Sequence, residues 1–408
     1  MLAFDGEQSA TLQNGLLVLQ ESRLVNGEYQ DGYSGYGTCQ VIDPATGESL
    51  PVPEGAYACV VCGDRLVYTC YARPADLADD EWDDDTSLHS WVIVLTKDGT
   101  QVYGADTSTA YRISYSPDEL TDWVELDTYH ADGAPVDQML YNPTTGESLT
   151  GYTQTCGNGT ACFVTDDGRY ELRDMTTEDR GVISTFEDMP SHYFPGSVVT
   201  WRTTGDYGYD LHDLETGDVT PLYACSVTDN TIALYAKNGS LKVCDTDTGK
   251  VITDTTVEPV VNQQSVMMDS AGNGYVWLEL RNNDNYETTA TRVYGPEGLV
   301  SDLTHLQDKY YALNHLTTTP EGRPLYCGVS DTLSNSGSLC DVLDENGNVV
   351  LSGLGSCYSY YANSLNHLPD HVFVAQRGFY YGWMDTDGNW LFCQSIFSSI
   401  NSDDELGY

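Results

Sequence analysis

The stretch Val243-Cys244-Asp245-Thr246-Asp247-Thr248-Gly249-Lys250 reads as the end of one strand, a tight turn and the start of the next. Asp opens such a turn by accepting backbone N–H groups two or three residues on, and Gly closes it with the positive φ that other residues avoid. The pattern recurs as Val41-Ile42-Asp43-Pro44-Ala45-Thr46-Gly47, Leu140-Tyr141-Asn142-Pro143-Thr144-Thr145-Gly146, Val342-Leu343-Asp344-Glu345-Asn346-Gly347 and Trp383-Met384-Asp385-Thr386-Asp387-Gly388. The turn glycines stand one repeat apart: Gly47 to Gly99 is 52 residues, Gly99 to Gly146 is 47, and Gly249 to Gly298 and Gly298 to Gly347 are 49 each. Two more apolar runs precede each hairpin, such as Tyr310 to Leu313 and Pro324 to Val329. Within the runs the alternation is that of strands, as in Tyr275-Val276-Trp277-Leu278-Glu279-Leu280.

Four short strands per unit of ~40–50 residues is the arithmetic of a β-propeller blade. The expected fold class is therefore all-β, a β-propeller forming one domain over residues 1–408. Units fall near 1–53, 54–105, 106–151, 152–188, 189–223, 224–256, 257–303, 304–354 and 355–400, with the three in the middle short. Propellers of about four to eight blades are typical. One unit is thus expected to be a misparse, giving eight blades, with seven and nine as the alternatives. Two β domains would be the other arrangement, but no Pro/Ser/Gly-rich linker marks a boundary.

With 17 Lys and Arg against 62 Asp and Glu, the net charge is −45. That excludes nucleic acid as the expected partner, since phosphate binding needs basic stripes, and an anionic membrane surface would repel the chain. The longest apolar runs, Leu16 to Leu19 and Trp91 to Leu95, fall far short of the ~20 residues a spanning helix needs, so no membrane insertion is expected. The segment Met1-Leu2-Ala3-Phe4-Asp5 has neither a basic nor an apolar leader region, so any signal or anchor is expected to lie outside this chain. A monomer is expected.

Twelve cysteines are spread along the chain. Cys59-Val60-Val61-Cys62 has C-x-x-C spacing but sits in a strand pattern rather than opening a helix, and no second such pair completes a zinc site. The expected disulfide is Cys156 with Cys162, which flank the turn Gly157-Asn158-Gly159-Thr160. Cys225 with Cys244 and Cys327 with Cys340 are the next pairs, each joining neighbouring strands. The other reading is buried thiols in a reduced core. Disulfides would place the protein outside the cytoplasm, secreted or on the cell surface.

The last unit, Tyr380-Tyr381-Gly382-Trp383-Met384-Asp385-Thr386-Asp387-Gly388-Asn389-Trp390-Leu391, continuing to Ile396-Phe397, resembles the WG-repeat pattern of bacterial surface and secreted proteins. It departs from that pattern in having Tyr381 where Trp is usual and Gln394 near the usual Pro, and it covers about twenty residues. The Asp-x-x-Thr-Gly hairpins look, more loosely, like those of PQQ-like and WD40-like propellers, without the tryptophan docking motif or the Trp-Asp dipeptide. Such folds carry many functions, so the resemblance implies a scaffold.

Candidate sites follow from the connections between the second and third strands of each unit, the expected ligand face. Asp79-Asp80-Glu81-Trp82-Asp83-Asp84-Asp85 is one such connection. Charge runs ordinarily form solvated loops, yet Asp80, Asp83 and Asp85 are also the hard-oxygen donors a Ca²⁺ ion takes. No other cofactor is expected. Asp245-Thr246-Asp247-Thr248-Gly249 and Asp385-Thr386-Asp387-Gly388 lack full EF-hand spacing, and turn chemistry accounts for them. The remaining connections supply Asp206 and Tyr207, Asn283, Asp284 and Tyr286, Asp331, and Arg377. Aromatic rings, Trp82 among them, beside amides and carboxylates suit a carbohydrate: ring faces stack on C–H groups and polar groups take hydroxyls.

No catalytic motif stands out: H-E-x-x-H, G-x-S-x-G and the P-loop are all missing. The expected function is a non-enzymatic binding module for a carbohydrate or protein partner. The alternatives are a propeller glycoside hydrolase or lyase using channel carboxylates, and a purely structural module of a larger surface protein.

Overall fold

The computed structural model describes residues 8–21, 39–71, 90–104, 110–115, 120, 122–129, 135–202, 208–228, 230–258, 260, 264–285, 287–330, 339–358 and 371–395. The chain divides into two compact units, Met1–Glu187 and Asp188–Tyr408.

Among the described residues, the first unit holds four antiparallel meanders. One is three-stranded: β1 (Gln8–Gln13), β2 (Leu16–Glu21) and β3 (Cys39–Ile42). The next is β4 (Ala56–Cys62), β5 (Arg65–Tyr71), β6 (Ser90–Thr96) and β7 (Gln101–Gly104). Then come β8 (Ala110–Tyr115), β9 (Val124–Tyr129), β10 (Pro135–Asn142) and β11 (Glu147–Thr150). The last is β12 (Tyr152–Gly157), β13 (Thr160–Val164), β14 (Tyr170–Asp174) and β15 (Val182–Phe186).

The second unit opens with a seven-stranded sheet: β16 (Met189–Phe194), β17 (Ser197–Arg202), β18 (Gly208–Asp213), β19 (Val219–Thr228), β20 (Thr231–Ala236), β21 (Ser240–Asp245) and β22 (Val251–Thr256). It is two meanders sharing β19, whose first half pairs with β18 and whose second half pairs with β20. Next are β23 (Gln264–Ser270), β24 (Val276–Asn282), β25 (Thr288–Gly295) and β26 (Gly298–Asp302), followed by a 3₁₀ turn at Thr304–Asp308. The sheet after it is β27 (Ala312–Thr318), β28 (Pro324–Ser330), β29 (Leu339–Leu343) and β30 (Val349–Leu354). The last described sheet is β31 (Ser356–Tyr358), β32 (Val372–Arg377), β33 (Tyr380–Asp385) and β34 (Trp390–Ser395).

Burial explains why these segments differ in composition. Second strands are apolar on both faces, and all six residues of β20 are buried. Fourth strands alternate or face water, as in β22 and β30. A strand covered on both faces reads as a continuous apolar run, whereas an edge strand reads as an alternation. Within each unit a separate apolar cluster lies between consecutive sheets. One joins the β23–β26 and β27–β30 sheets through Trp277, Val293, Tyr310, Tyr326 and Leu343. Another lies within the seven-stranded sheet, between its two meanders, and joins β16, β17, β19, β20 and β21 through Phe194, Val199, Leu222, Ile232, Leu234 and Cys244. Antiparallel meanders, mostly four-stranded and packed on their neighbours within each unit, make the chain all-β and of the β-propeller class.

The hairpin turns are as the motif demands. Gly249 has φ +69°, and a Cβ there would stand 2.7 Å from the Pro195 carbonyl oxygen. Asp245 accepts the Thr248 N–H at 2.8 Å and the Thr248 hydroxyl at 2.6 Å, which holds its carboxyl below the usual range. Asp385 accepts the Asp387 and Asn389 N–H groups at 3.0 and 2.8 Å. These carboxylates spend their lone pairs on their own turns.

Candidate functional site

The connections expected to carry ligand residues are the second-to-third links of their sheets. Asn283 and Asp284 lie on the β24–β25 hairpin. Its shape is set by Asn282, whose side-chain oxygen accepts the Asp284 N–H at 2.8 Å, and by Asn285, whose amide donates to Glu287 at 2.7 Å. The side chains of Asn283 and Asp284 are left exposed. Arg377 ends β32 and pairs with Tyr380 across the β32–β33 hairpin, whose Gly378 has φ +60°. Phe379 and Tyr380 on that hairpin are 62% and 54% exposed. On the same sheet Trp383 and Phe392 are cross-strand partners, with ring centroids 5.9 Å apart, and both face water. No hydrogen bond among the described residues joins the Asn283–Asp284 hairpin to Arg377. Asp80, Trp82, Asp83, Asp85, Asp206, Tyr207, Tyr286 and Asp331 lie outside the described residues.

A buried polar group sits in the second unit. Tyr326 on β28 is fully buried, opposite His315 on β27, with the Trp277 ring centroid 4.8 Å away. Its hydroxyl has no hydrogen-bond partner among the described residues. Burial, then the nearby carboxylates of Asp269 and Glu345, push its ionisation well up. Burial pushes His315 down to about 4. It also raises the carboxyl of Asp269, which accepts a 3.3 Å hydrogen bond from Ser226.

The cysteines gather in groups. The expected Cys156–Cys162 disulfide is not formed: both are buried free thiols on the facing strands β12 and β13, and the ladder sets Gln154, not Cys156, opposite Cys162, with a register shift at Cys156. A hydrogen bond from Cys156 holds Cys162 below the usual thiol range. Cys39, Cys59 and Cys70 share the core between the β1–β3 and β4–β7 sheets. Cys59 is pushed up by burial and by its contact with Cys39.

The tightest group is Cys327 on β28, Cys340 on β29 and Cys357 on β31, whose sulfurs all lie within 4.8 Å of one another. Cys327 pairs with Val342 and Cys340 with Val329, so the two are two positions out of register on one face of the sheet. Cys357 comes from the next sheet, and its Sγ stands 2.7 Å from that of Cys327. Leu316, Leu325, Val342, Leu354, Phe373 and Met384 enclose them. Hydrogen bonds from Cys327 and Cys357 draw Cys340 down, while the same contacts raise the other two.

Three thiolates are a donor set for a soft cation such as Zn²⁺ or Cu(I). Sulfurs sharing a tetrahedral ion at Zn–S ≈ 2.3 Å stand about 3.8 Å apart, however. The 2.7 Å pair is well inside that, nearer the ~2.05 Å of a covalent S–S bond.

A family model, Domain of unknown function (DUF5046), matches residues 140–404, well over half of the chain. The chain belongs to the DUF5046 family. No curated protein matches it. Similar solved structures include the computationally designed Ika8 protein, at 12% identity over 83% of this chain and 96% of that one, with a TM-score of 0.29. BamB from Moraxella catarrhalis is 13% identical over 69% of this chain and 90% of its own, with a TM-score of 0.28. Kluyveromyces lactis Hsv2 is 8% identical over 70% and 88%, with a TM-score of 0.26. The fold class rests on the sheets themselves.

The Cys327–Cys340–Cys357 group and the Tyr326 group both lie in the segment that matches DUF5046. The sequence placed Cys327 and Cys340 on neighbouring strands, as they are, but the disulfide expected between them is not formed: both are free thiols, two positions out of register. Sequence reasoning missed Cys357, 30 residues beyond Cys327 and on another sheet. The available signal was the cysteine itself, in the short strand Ser356-Cys357-Tyr358 that opens the last described sheet. Tyr326 gave no signal, because β28 is buried along its first five residues and residue types alone do not show that its one tyrosine loses its water there.

Proposed function

We propose that this DUF5046 protein is a non-enzymatic, extracytoplasmic binding module of the propeller class. Its partner is a carbohydrate, engaged at the connections between second and third strands, and a protein is the alternative occupant of the same surface. The observation that carries the reading is the β32–β33 hairpin, where exposed Arg377 stands beside exposed Phe379 and Tyr380. Rings that face water at a hairpin tip offer flat apolar area at low entropic cost, and a guanidinium supplies five donors for hydroxyls. Asn283 and Asp284 occupy the same connection of another sheet. The extracytoplasmic placement rests on the cysteine count of twelve alone, since every one of them is a free thiol here.

The test is a glycan array probed with the wild-type protein and with Arg377→Ala and Tyr380→Ala. Selective binding weakened tenfold or more by both substitutions is the expected result. Binding untouched by either would refute the hairpin assignment, and silence on every glycan would refute the carbohydrate partner.

One observation favours a second reading, a carboxylate-dependent glycosidase or lyase. The carboxyl of Asp269 is raised by burial, as a general acid requires. Hydrolysis or elimination of a polysaccharide that Asp269→Asn abolishes would establish it in place of the binding module.

A further inference from the structure

We propose that Cys327, Cys340 and Cys357 form a thiol–disulfide exchange centre, in which a Cys327–Cys357 bond ties two consecutive sheets together and Cys340 is the third thiol through which that bond migrates. Three features carry it. The sulfurs of Cys327 and Cys357 are 2.7 Å apart across the gap between sheets. Cys340 is within 4.8 Å of both. All three are buried in an apolar cluster.

A simple staple needs two cysteines; the third makes exchange possible. The attacking species in exchange is a thiolate, and the Cys340 sulfur is placed for attack by its proximity to both neighbours. The arrangement has a counterpart in the first unit. There Cys39 on the third strand of one sheet meets Cys59 on the first strand of the next, with Cys70 beside them. Cys340 and Cys357 hold the same two strand positions in their sheets.

The chemistry balances with a low-molecular-weight disulfide as oxidant. The Cys327 and Cys357 thiols each give up a proton and one electron, forming the S–S bond. The oxidant's S–S bond breaks, and it leaves as two thiols carrying both protons. In the exchange step the Cys340 thiolate attacks Cys357 Sγ, the Cys327–Cys357 bond breaks, and Cys327 leaves as the thiolate. The proton count is unchanged.

The experiment uses the full chain, reduced, freed of reductant and incubated with oxidised glutathione. It is then quenched in acid, alkylated under denaturing conditions, digested and mapped by mass spectrometry. A Cys327–Cys357 cross-linked peptide pair, with a Cys340–Cys357 pair in the same sample, is the expected result. Cys327→Ser should retain only the Cys340–Cys357 linkage, and Cys357→Ser should retain neither. The wild-type map is decisive whether or not the variants fold. Three alkylated thiols after oxidation would overturn the proposal. So would a Cys340 that never enters a linkage. Stoichiometric Zn²⁺ uptake that protects all three without any S–S bond would replace it with a metal site.

Discussion

Removing a polar atom from Tyr326 should make the protein more stable. The residue is fully buried, and its hydroxyl finds no hydrogen-bond partner among the described residues. A buried hydroxyl left unpaired costs about 1–3 kcal/mol. Tyr326→Phe removes that cost and leaves a gap smaller than a methyl group, worth less than about 1 kcal/mol. The net expectation is a gain of about 1–2 kcal/mol. For a unit of this size that raises Tm by roughly 2–8 °C, at about 2–4 °C per kcal/mol. A matched control exists in Tyr235, equally buried on β20, whose hydroxyl donates to the Glu258 carbonyl at 2.7 Å. Tyr235→Phe deletes a satisfied bond and should cost about 0.5–1.5 kcal/mol. Urea unfolding of both variants reads the two signs directly, as midpoints moving in opposite directions at constant m. A loss of about 1 kcal/mol or more in Tyr326→Phe would refute the reasoning, because it would mean the hydroxyl is held by a net-favourable bond.

Gly382→Ala should lower the urea midpoint by an amount equivalent to about 1–3 kcal/mol. A Cβ there would lie 2.7 Å from Cys393 Cα and closer still to the Phe392 carbonyl oxygen, both backbone atoms of β34; an unchanged midpoint would show that β34 moves freely. His315, pushed down to about 4 by burial, binds its proton more readily when unfolded, near pH 6.5. Its contribution is therefore complete above pH 6.5 and is lost as pH falls toward 4, in total about 3 kcal/mol. Stability measured at several pH values should show a shallower fall over that window in His315→Asn, and parallel curves would count against it.

What was legible in the sequence was what is local. Asp245 and Gly249 make a turn within five residues, so their roles can be read from types and spacing alone. Asn283, Asp284 and Arg377 could be assigned to their connections because each meander keeps its strand order. What meets across sheets was not legible. Cys357 reaches Cys327 only because β31 packs on the sheet before it, and Tyr326 meets Trp277 the same way. The shared strand β19 was hidden for another reason. It was read as two units divided near Tyr223, yet no turn residue interrupts it, and the ladder only shifts register between Leu222 and Ala224.

That shared strand has a mechanical consequence. Pulled from its two ends, a chain of separately hinged meanders can yield one at a time, each release paying out one repeat of slack. The meanders on either side of β19 have no hinge between them, and load entering one passes along a continuous backbone into the next. They should rupture as a single event, seen in a force–extension trace as one step about twice as long as its neighbours.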